Sequence, residues 1–259
     1  MTDLPIIFSA PMVKALLEGR KTMTRRLAWG RPFPVPEEAA AGWRSDGCRV
    51  SFADDTETCA CWRPSAWQRV QPGDRLWVRE SWRPGAWRYD EPGGRIAADY
   101  MATPELNRTP WLSVPGADWR KLWPKMCAEA EAAVTAGRGS TRRSPDTDDW
   151  TWDRGDSPCA WRPSIHMPRW ASRLTLTVTA VRVERLRAIS REDAMAEGIE
   201  DLSAPDHVDF GIPGIVNAQH PVRAFWLLWN SLHGPDAWDA NPEVVALAFT
   251  VERRNIDGR

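Results

Sequence analysis

Residues 19–26 read Gly-Arg-Lys-Thr-Met-Thr-Arg-Arg, which places a lysine and a threonine three positions apart within a cationic cluster. A threonine hydroxyl is a weak nucleophile until a base removes its proton. Lys21 can be that base for Thr24 only if its pKa falls well below the ordinary value of a lysine. Burial of the amine or crowding by neighbouring arginines would lower the pKa in this way. The same residues also fit a solvated basic strand or a phosphate-binding patch, so both interpretations stay open here.

The elements around this cluster decide whether the two side chains can meet. Ser9 is placed to cap a short helix, and Gly19 is placed to end it. Residues 22–27 then alternate as an extended strand, and a regular strand would direct Lys21 and Thr24 to opposite faces. The pair therefore requires Lys21 to lie in the turn after Gly19 and to fold back.

A second candidate residue ends an apolar strand. After a Pro-Gly-Asp turn signal, residues 75–80 alternate so that Leu76, Val78 and Glu80 share one face. Glu80 is either solvated at the rim of this face or directed into a pocket, and the pattern fits both. The periodic pattern also predicts that Trp77 lies in a core.

A third acidic residue lies at the end of a predicted helix. Ser190 is placed to cap this helix, with Glu192 and Asp193 in its first turn, and Gly198 is placed to end it. Glu197 then falls in the last turn, where the helix dipole disfavours a negative charge, and this suits a proton donor. A solvated glutamate at a helix end is the plainer alternative.

Composition limits what the rest of the chain can do. The chain has 259 residues, of which 42% are hydrophobic, enough for a core in one large domain or two small ones. Its formal charge of −1 argues against a general polyanion binder, so any nucleic-acid contact must come from local patches. Five cysteines and no apparent signal segment favour reduced thiols and a cytoplasmic location. The longest apolar stretch is too short to span a bilayer, so no membrane role is predicted.

Neither the cysteines nor most of the tryptophans indicate a site. Cys59 and Cys61, with Cys48 upstream, lack the spacing of a zinc site, and we predict no metal and no cofactor. The chain contains 17 tryptophans. Two more that follow a periodic pattern, besides Trp77, are predicted to lie in a core: Trp226 and Trp229. Those in Pro- and Gly-rich stretches are candidates for recognition: Trp111, Trp119, Trp150 and Trp152.

The remaining segments predict an α+β fold. Residues 83–160 have the composition of an insertion, with Pro-, Gly- and Trp-rich loops and one helix over residues 126–136. The alternation that resumes at residue 174 changes phase between Ala180 and Val181, which indicates a bulge in a long strand. An amphipathic helix opens at Pro221, and the last strand covers residues 245–251.

Several of these motifs resemble ASCH domains, a small barrel superfamily related to PUA domains. The resemblance is carried by four segments: residues 19–26, the strand from Gly73 to Glu80, the helix over 190–199, and the helix and strand over 225–249. Residues 161–173, Trp-Arg-Pro-Ser-Ile-His-Met-Pro-Arg-Trp-Ala-Ser-Arg, are similar to a stretch of phage and prophage ASCH proteins. The resemblance implies an α+β fold built on a small PUA-like β-barrel, with flanking helices and long Trp/Pro-rich insertions.

The same resemblance implies one domain that spans residues 1–259. Its core is expected in four segments: residues 5–30, 70–82, 161–200 and 221–253. Residues 83–160 are then an insertion into this domain.

The motif of residues 19–24 is similar to that of bacterial amidohydrolases that cleave the exocyclic amide of N4-acetylcytidine. The resemblance implies that Thr24 attacks the acyl carbonyl, that Lys21 accepts its proton and that Glu197 assists the leaving amine. It also implies a nucleoside or modified-base substrate and no cofactor. The expected substrate-binding residues are Arg20, Arg26, Glu80, Trp77 and His166.

A binding module is the main alternative, because other ASCH and PUA-like proteins bind RNA or modified bases without cleaving them. In that case the cations of residues 20–26 contact the phosphates of RNA or DNA, and tryptophans of the insertion stack on bases. A third possibility is an RNA-cleaving protein of the same family. The acyl group, the choice between free nucleoside and polymer, and the oligomeric state stay open.

Overall fold

A computed structural model of the chain describes residues 1–29, 33–35, 59–61, 64–90, 93–104, 110–145 and 149–258. These residues mix helices and strands, which confirms the α+β class. The α-helices among them are α1 (Ala10–Leu17), α2 (Gly116–Thr135), α3 (Arg191–Ala196) and α4 (Pro221–His233). The first strands in chain order are β1 (Asp3–Ile7), β2 (Met23–Leu27), β3 (Phe33–Val35), β4 (Cys59–Cys61), β5 (Arg75–Arg79), β6 (Trp82–Asp90), β7 (Gly93–Tyr100) and β8 (Leu112–Val114). The later strands are β9 (Arg142–Arg143), β10 (Trp150–Thr151), β11 (Thr175–Arg185), β12 (Glu200–Asp201), β13 (Phe210–Ile212), β14 (Val216–Ala218) and β15 (Glu243–Glu252).

The largest sheet has five strands in the order β1-β5-β11-β15-β2. β1 runs parallel to β5, and the other neighbours are antiparallel. The register of β11 on β15 shifts between Val178 and Ala180, so the predicted bulge exists but lies slightly earlier in the strand. β1 and β2 are the two edges of the sheet, and none of the described sheets closes into a barrel. The described strands therefore do not confirm the predicted barrel.

One hydrophobic core joins this sheet to α1, α3 and α4. Alternation in β5 buries Leu76 and Val78, while helical spacing in α4 buries Phe225 and Trp229. Trp77 lies between the buried positions of β5, so it faces the other side of the sheet and is only half-buried. The prediction that Trp77 belongs to the core was wrong because alternation places it opposite the core residues.

Residues 83–160 add a second sheet, β6-β7-β8, on which α2 packs. A second hydrophobic cluster lies between them and includes Trp119 and Met126, so Trp119 is a core residue rather than a recognition residue. The cluster also takes in Trp82 and Trp170 from outside the segment. α2 begins at Gly116, well before the predicted residue 126. The prediction missed the first half of the helix because that half contains Gly116 and Pro124, which are typical of loops.

The two edge strands of the large sheet are linked by a side chain. Arg26 in β2 donates a hydrogen bond from Nη2 to the carbonyl of Ile7 at the end of β1, with a distance of 2.8 Å. Residues of β1, β2 and α4 line one cavity at this place. The two edges of the sheet are thus separated by a gap, and α4 lies over that gap. No helix in the described ranges is both long and apolar enough to cross a bilayer.

Candidate active site

Lys21 lies outside the alternation of β2. α1 is followed by Gly19, whose φ of 76° is in the left-handed region that favours glycine. The amides of Arg20 and Lys21 both donate to the carbonyl of Ala15, at 3.0 and 3.1 Å, and β2 begins only at Met23. The chain thus folds back after Gly19, as a Lys21–Thr24 pair would require.

The Lys21 amine is buried and fully hydrogen-bonded. Its side chain is 2% exposed. Nζ donates to the carbonyls of Met23 and Glu197, at 2.8 and 2.7 Å, and to Oε2 of Glu197 at 2.9 Å. Burial lowers the pKa of Lys21, Glu197 opposes this shift, and the charges of Arg26 and Arg25 add to it. The site therefore favours loss of a proton from this amine more than water does.

Glu197 is held at the end of α3 by local sequence signals. Ser190 caps the helix, with its Oγ accepting from the amide of Asp193 at 3.0 Å, and Gly198 follows with a φ of 104°. A Cβ at Gly198 would lie 3.4 Å from the Cβ of Lys21, so a glycine lets the helix end approach the lysine closely. Glu197 is 4% exposed and is not the solvated alternative.

Arg25 is a structural cation rather than a free phosphate ligand. Its side chain is fully buried and donates to Oε1 of Glu197 at 3.2 Å. The same guanidinium contacts Glu184 at 2.7 Å and Asp193 at 2.5 Å. The Glu197 carboxylate thus lies between two cations, Lys21 and Arg25. The predicted contact of Arg25 with phosphate is contradicted by this network.

Thr24 and the Lys21–Glu197 pair line one cavity of about 600 Å³. The Thr24 side chain is 3% exposed, and its hydroxyl makes no hydrogen bond to any residue that the structure describes. In particular, Lys21 Nζ donates to Met23 and Glu197 and not to Thr24. The three predicted catalytic residues are therefore brought together, but Lys21 contacts Glu197 instead of the hydroxyl.

Aromatic rings and the cation Arg26 form another part of the cavity wall, beside aliphatic and serine side chains. Arg26 lies 5.1 Å from the centroid of Phe8 and has no acidic partner among the residues described. The rings of Trp229 and His233 stack with centroids 4.1 Å apart. Burial lowers the pKa of His233, and the charge of Arg26 adds to the shift. This wall suits a flat ligand with hydrogen-bond acceptors.

Four predicted substrate-binding residues lie elsewhere. Glu80 is 1% exposed and accepts two bonds from Arg173, at 2.8 and 2.9 Å, so it is neither at the rim nor in the cavity. Arg20 bonds to Glu18 and to the carbonyl of Gly198. Trp77 does not line the cavity either, and His166 lines a separate cavity. Arg26 is the one substrate-binding candidate that the structure places beside Thr24.

Sequence reasoning missed the wall residues Phe8, Ser9 and His233. The sequence indicates Ser9 only as a helix cap, because local patterns show which element a residue belongs to but not which cavity it borders. His233 is the last residue of α4, and its position next to Trp229 at helical spacing was the signal that could have found it.

The described residues contain no cluster of three His, Cys, Asp or Glu side chains that could hold a metal ion. Cys48, considered above with Cys59 and Cys61, lies outside those residues. Searches of protein-family models, of curated proteins and of solved structures each find no match for this chain.

Proposed function

We propose that this chain is an ASCH-like amidohydrolase that cleaves the exocyclic amide of N4-acylated cytidine-type nucleosides or bases. One observation carries the proposal: a Thr24 hydroxyl without a hydrogen-bond partner among the described residues borders the same cavity as a buried Lys21–Glu197 pair. In this arrangement Lys21 would be the base, Glu197 would accept the proton of Lys21, and the Thr24 hydroxyl would be the nucleophile. The five-stranded sheet would correspond to the ASCH barrel, with the Arg26–Ile7 bond bridging its two edges.

The proton path begins with Lys21 and Glu197. As an ammonium group, Lys21 has no lone pair to accept a proton, so it must first pass one to Glu197, whose Oε2 is 2.9 Å away. The lowered pKa of Lys21 favours this transfer. Lys21 then reorients within the cavity to accept the hydroxyl proton of Thr24, and the short displacement is of the kind that substrate binding produces.

The covalent steps follow from this state. Thr24 Oγ1 forms a bond to the acyl carbon, and the carbon–N4 bond breaks as the N4 amine receives a proton from Lys21. Water then cleaves the threonine ester, giving a free carboxylic acid and regenerating the hydroxyl, while Glu197 returns its proton to the lysine. The sum is one amide and one water converted to one acid and one amine.

The dimensions of the cavity agree with such a substrate. A volume of about 600 Å³ lies within the range of small-ligand sites. The exposed ring of His233, stacked on buried Trp229, offers a face for a pyrimidine, and buried Phe8 adds apolar wall. Arg26 offers a donor for the carbonyl oxygen of the pyrimidine.

The test is release of cytidine from N4-acetylcytidine by the purified chain. Thr24→Ala should lower turnover at least about a thousandfold, because it removes the nucleophile. Thermal unfolding should change little, since the hydroxyl has no partner to lose. Thr22→Ala, at an exposed position two residues away, is the matched control and should behave as the unchanged chain. Normal turnover by Thr24→Ala would refute the assignment.

A non-catalytic base-binding module is the second candidate, and the bonding of Lys21 favours it. All three amine protons have acceptors, and Lys21 makes no bond to Thr24. In that case N4-acetylcytidine should bind and be recovered unchanged, and Arg26→Gln should weaken its binding. Release of cytidine that depends on Thr24 would exclude this candidate.

A further inference from the structure

A second cavity of about 520 Å³ lies between α2 and the segment that runs from Trp161 to Trp170. Two nearly buried indoles, Trp82 and Trp170, border it and pack edge to face with centroids 5.6 Å apart. Trp161 also lines it and is half-buried, with the Arg83 guanidinium 4.7 Å from its ring. The cavity thus has an aromatic lining.

Exposed cations stand at the mouth of this cavity. Lys121 and Lys125 are one helical turn apart on α2, so both side chains lie on the same face. His166 lies on the opposite wall and is also exposed. Neither lysine has an acidic partner among the residues that the structure describes.

The acidic side chains of the cavity are already engaged. Glu129 pairs with Arg162 at 3.4 Å, and Asp118 accepts a hydrogen bond from the indole of Trp170 at 2.9 Å. Among the charged lining residues the cations exceed the carboxylates by one, counting His166 as neutral. The excess charge is carried by the two lysines, which leaves them available to an anionic ligand.

The two cavities share a wall. Ser81 lines the Thr24 cavity, and its neighbour Trp82 lines the second cavity. In the same way, Ser164 lines the Thr24 cavity and its neighbour Pro163 lines the second cavity. Consecutive Cα atoms are about 3.8 Å apart, so the two cavities are direct neighbours. Backbone hydrogen bonds between Trp82 and Arg162, at 3.1 and 2.7 Å, hold the two sides of the wall together.

We propose that the second cavity binds a nucleotide that neighbours the acylated base, so that the substrate is a single-stranded nucleic acid rather than a free nucleoside. The inference rests on the proposed function for the identity of the base in the Thr24 cavity. Trp161, the half-buried indole of the lining, supplies stacking surface above the buried Trp82–Trp170 pair. Lys121 and Lys125 supply phosphate contacts, and stacking with phosphate contacts is the combination that single strands require. Because neighbouring residues of the chain line the two cavities, consecutive nucleotides of one strand would lie on either side of the shared wall.

The first test measures binding of a fluorescent single-stranded RNA of about 12 nucleotides that carries no acyl group. Lys121→Gln with Lys125→Gln should weaken binding about tenfold near 0.1 M salt. The slope of log affinity against log salt should fall by about 1.4, since each lost contact on a single strand contributes about 0.7. Lys14→Gln, an exposed lysine on α1, is the control and should bind as the unchanged chain.

A second test needs no variant, because the chain has only four lysines: Lys14, Lys21, Lys121 and Lys125. Lys21 is buried, so an amine-acetylating reagent should modify the other three. Addition of the RNA should protect Lys121 and Lys125 and leave Lys14 unprotected. Equal protection of all three, or of none, would overturn the proposal.

The outcomes separate this inference from the proposed function. The RNA lacks an amide, so binding is scored independently of hydrolysis, and Thr24→Ala should bind it normally. If the lysine variant binds as tightly as the unchanged chain, the second site does not exist, whether or not N4-acetylcytidine is cleaved. If cytidine monophosphate competes as well as the 12-mer at equal molar concentration, the site takes a free nucleotide, and the polymer claim is refuted.

Discussion

Glu80 and Glu197 are two buried carboxylates in different surroundings. Glu80 is 1% exposed and Glu197 is 4% exposed, and each accepts hydrogen bonds from cationic side chains. Glu80 is clamped by Arg173 alone and borders neither cavity. Glu197 is shared by Lys21 and Arg25 and lines the cavity that also contains Thr24.

The comparison shows which property separates a candidate site from a structural ion pair. Burial and charge pairing are common to both carboxylates, so neither is diagnostic. The Glu197 cluster differs in bordering a ligand-sized cavity and in having a proton donor, Lys21, whose pKa is lowered by burial. The four predictions below test this contrast.

The largest expected effect concerns Glu197. Glu197→Gln should lower turnover of N4-acetylcytidine about a thousandfold, because an amide cannot take the proton of Lys21. Turnover is measured per folded molecule, with circular dichroism to quantify the folded fraction. Glu200→Gln changes a nearby half-buried carboxylate outside the cavity and should have no effect. Equal loss in both variants would remove the special role of Glu197.

Arg173→Met should break the Glu80 pair and lower the free energy of unfolding by about 3 to 5 kcal/mol at pH 7, without changing turnover per folded molecule. Burial raises the pKa of Glu80 above 4.5, and Arg173 opposes that shift, so the pKa rises further in the variant. A carboxyl group whose pKa is higher in the folded state than in the unfolded state contributes its full stability below the unfolded pKa. This contribution is lost as pH rises through the folded pKa. Urea unfolding should therefore show a smaller loss at pH 4.

The double change of Arg173→Met with Glu80→Leu is the control for this prediction. Replacing both partners with apolar side chains removes the unpaired charge and should recover most of the stability. If the double variant is no more stable than Arg173→Met, the loss comes from packing of the arginine rather than from the ion pair.

Lys21 should give the proposed hydrolysis a basic pH profile. Burial lowers its pKa, so the fraction of Lys21 that is neutral without a proton on Glu197 grows as pH rises toward 10.5. Turnover should therefore rise with pH above the level that the internal transfer to Glu197 sustains. The free energy of unfolding should also rise with pH. Because the pKa of Lys21 is lower in the folded state, stability is lost as pH falls through that pKa and is regained as pH rises toward 10.5. Lys21→Met should abolish both trends. A flat profile of turnover in the unchanged chain would rule out Lys21 as the base.

The smallest effect should distinguish Arg26 from Arg20. Arg26→Gln should raise KM about tenfold with kcat little changed, because one charge-assisted hydrogen bond to the substrate is lost. Arg20→Gln should change neither, since Arg20 is engaged by Glu18 and the Gly198 carbonyl outside the cavity. A larger effect at Arg20 would place the substrate on the other side of the helix end.

Local features of the site could be predicted from the sequence. Gly19 and Gly198 end helices as their positions indicate, and Ser190 caps α3, so the placement of Lys21 and Glu197 follows from short-range patterns. The choice of ion-pair partners could not be predicted. Arg25 and Glu184 are 159 residues apart in sequence, and only tertiary distance decides that they meet. The same limit applied to Glu80 and to the aromatic wall, whose members come from the residue after β1 and from α4.

The hydrogen bond between Arg26 and the Ile7 carbonyl determines how easily the two edge strands of the large sheet can separate. Along the rest of the sheet, separating two strands would break a ladder of backbone hydrogen bonds. Between β1 and β2, the described residues show one charge-assisted hydrogen bond, worth about 1.5 to 3 kcal/mol. An acceptor atom of a ligand that bonds to the Arg26 guanidinium would compete with the Ile7 carbonyl for it, so we expect ligand binding and separation of the two edge strands to be coupled.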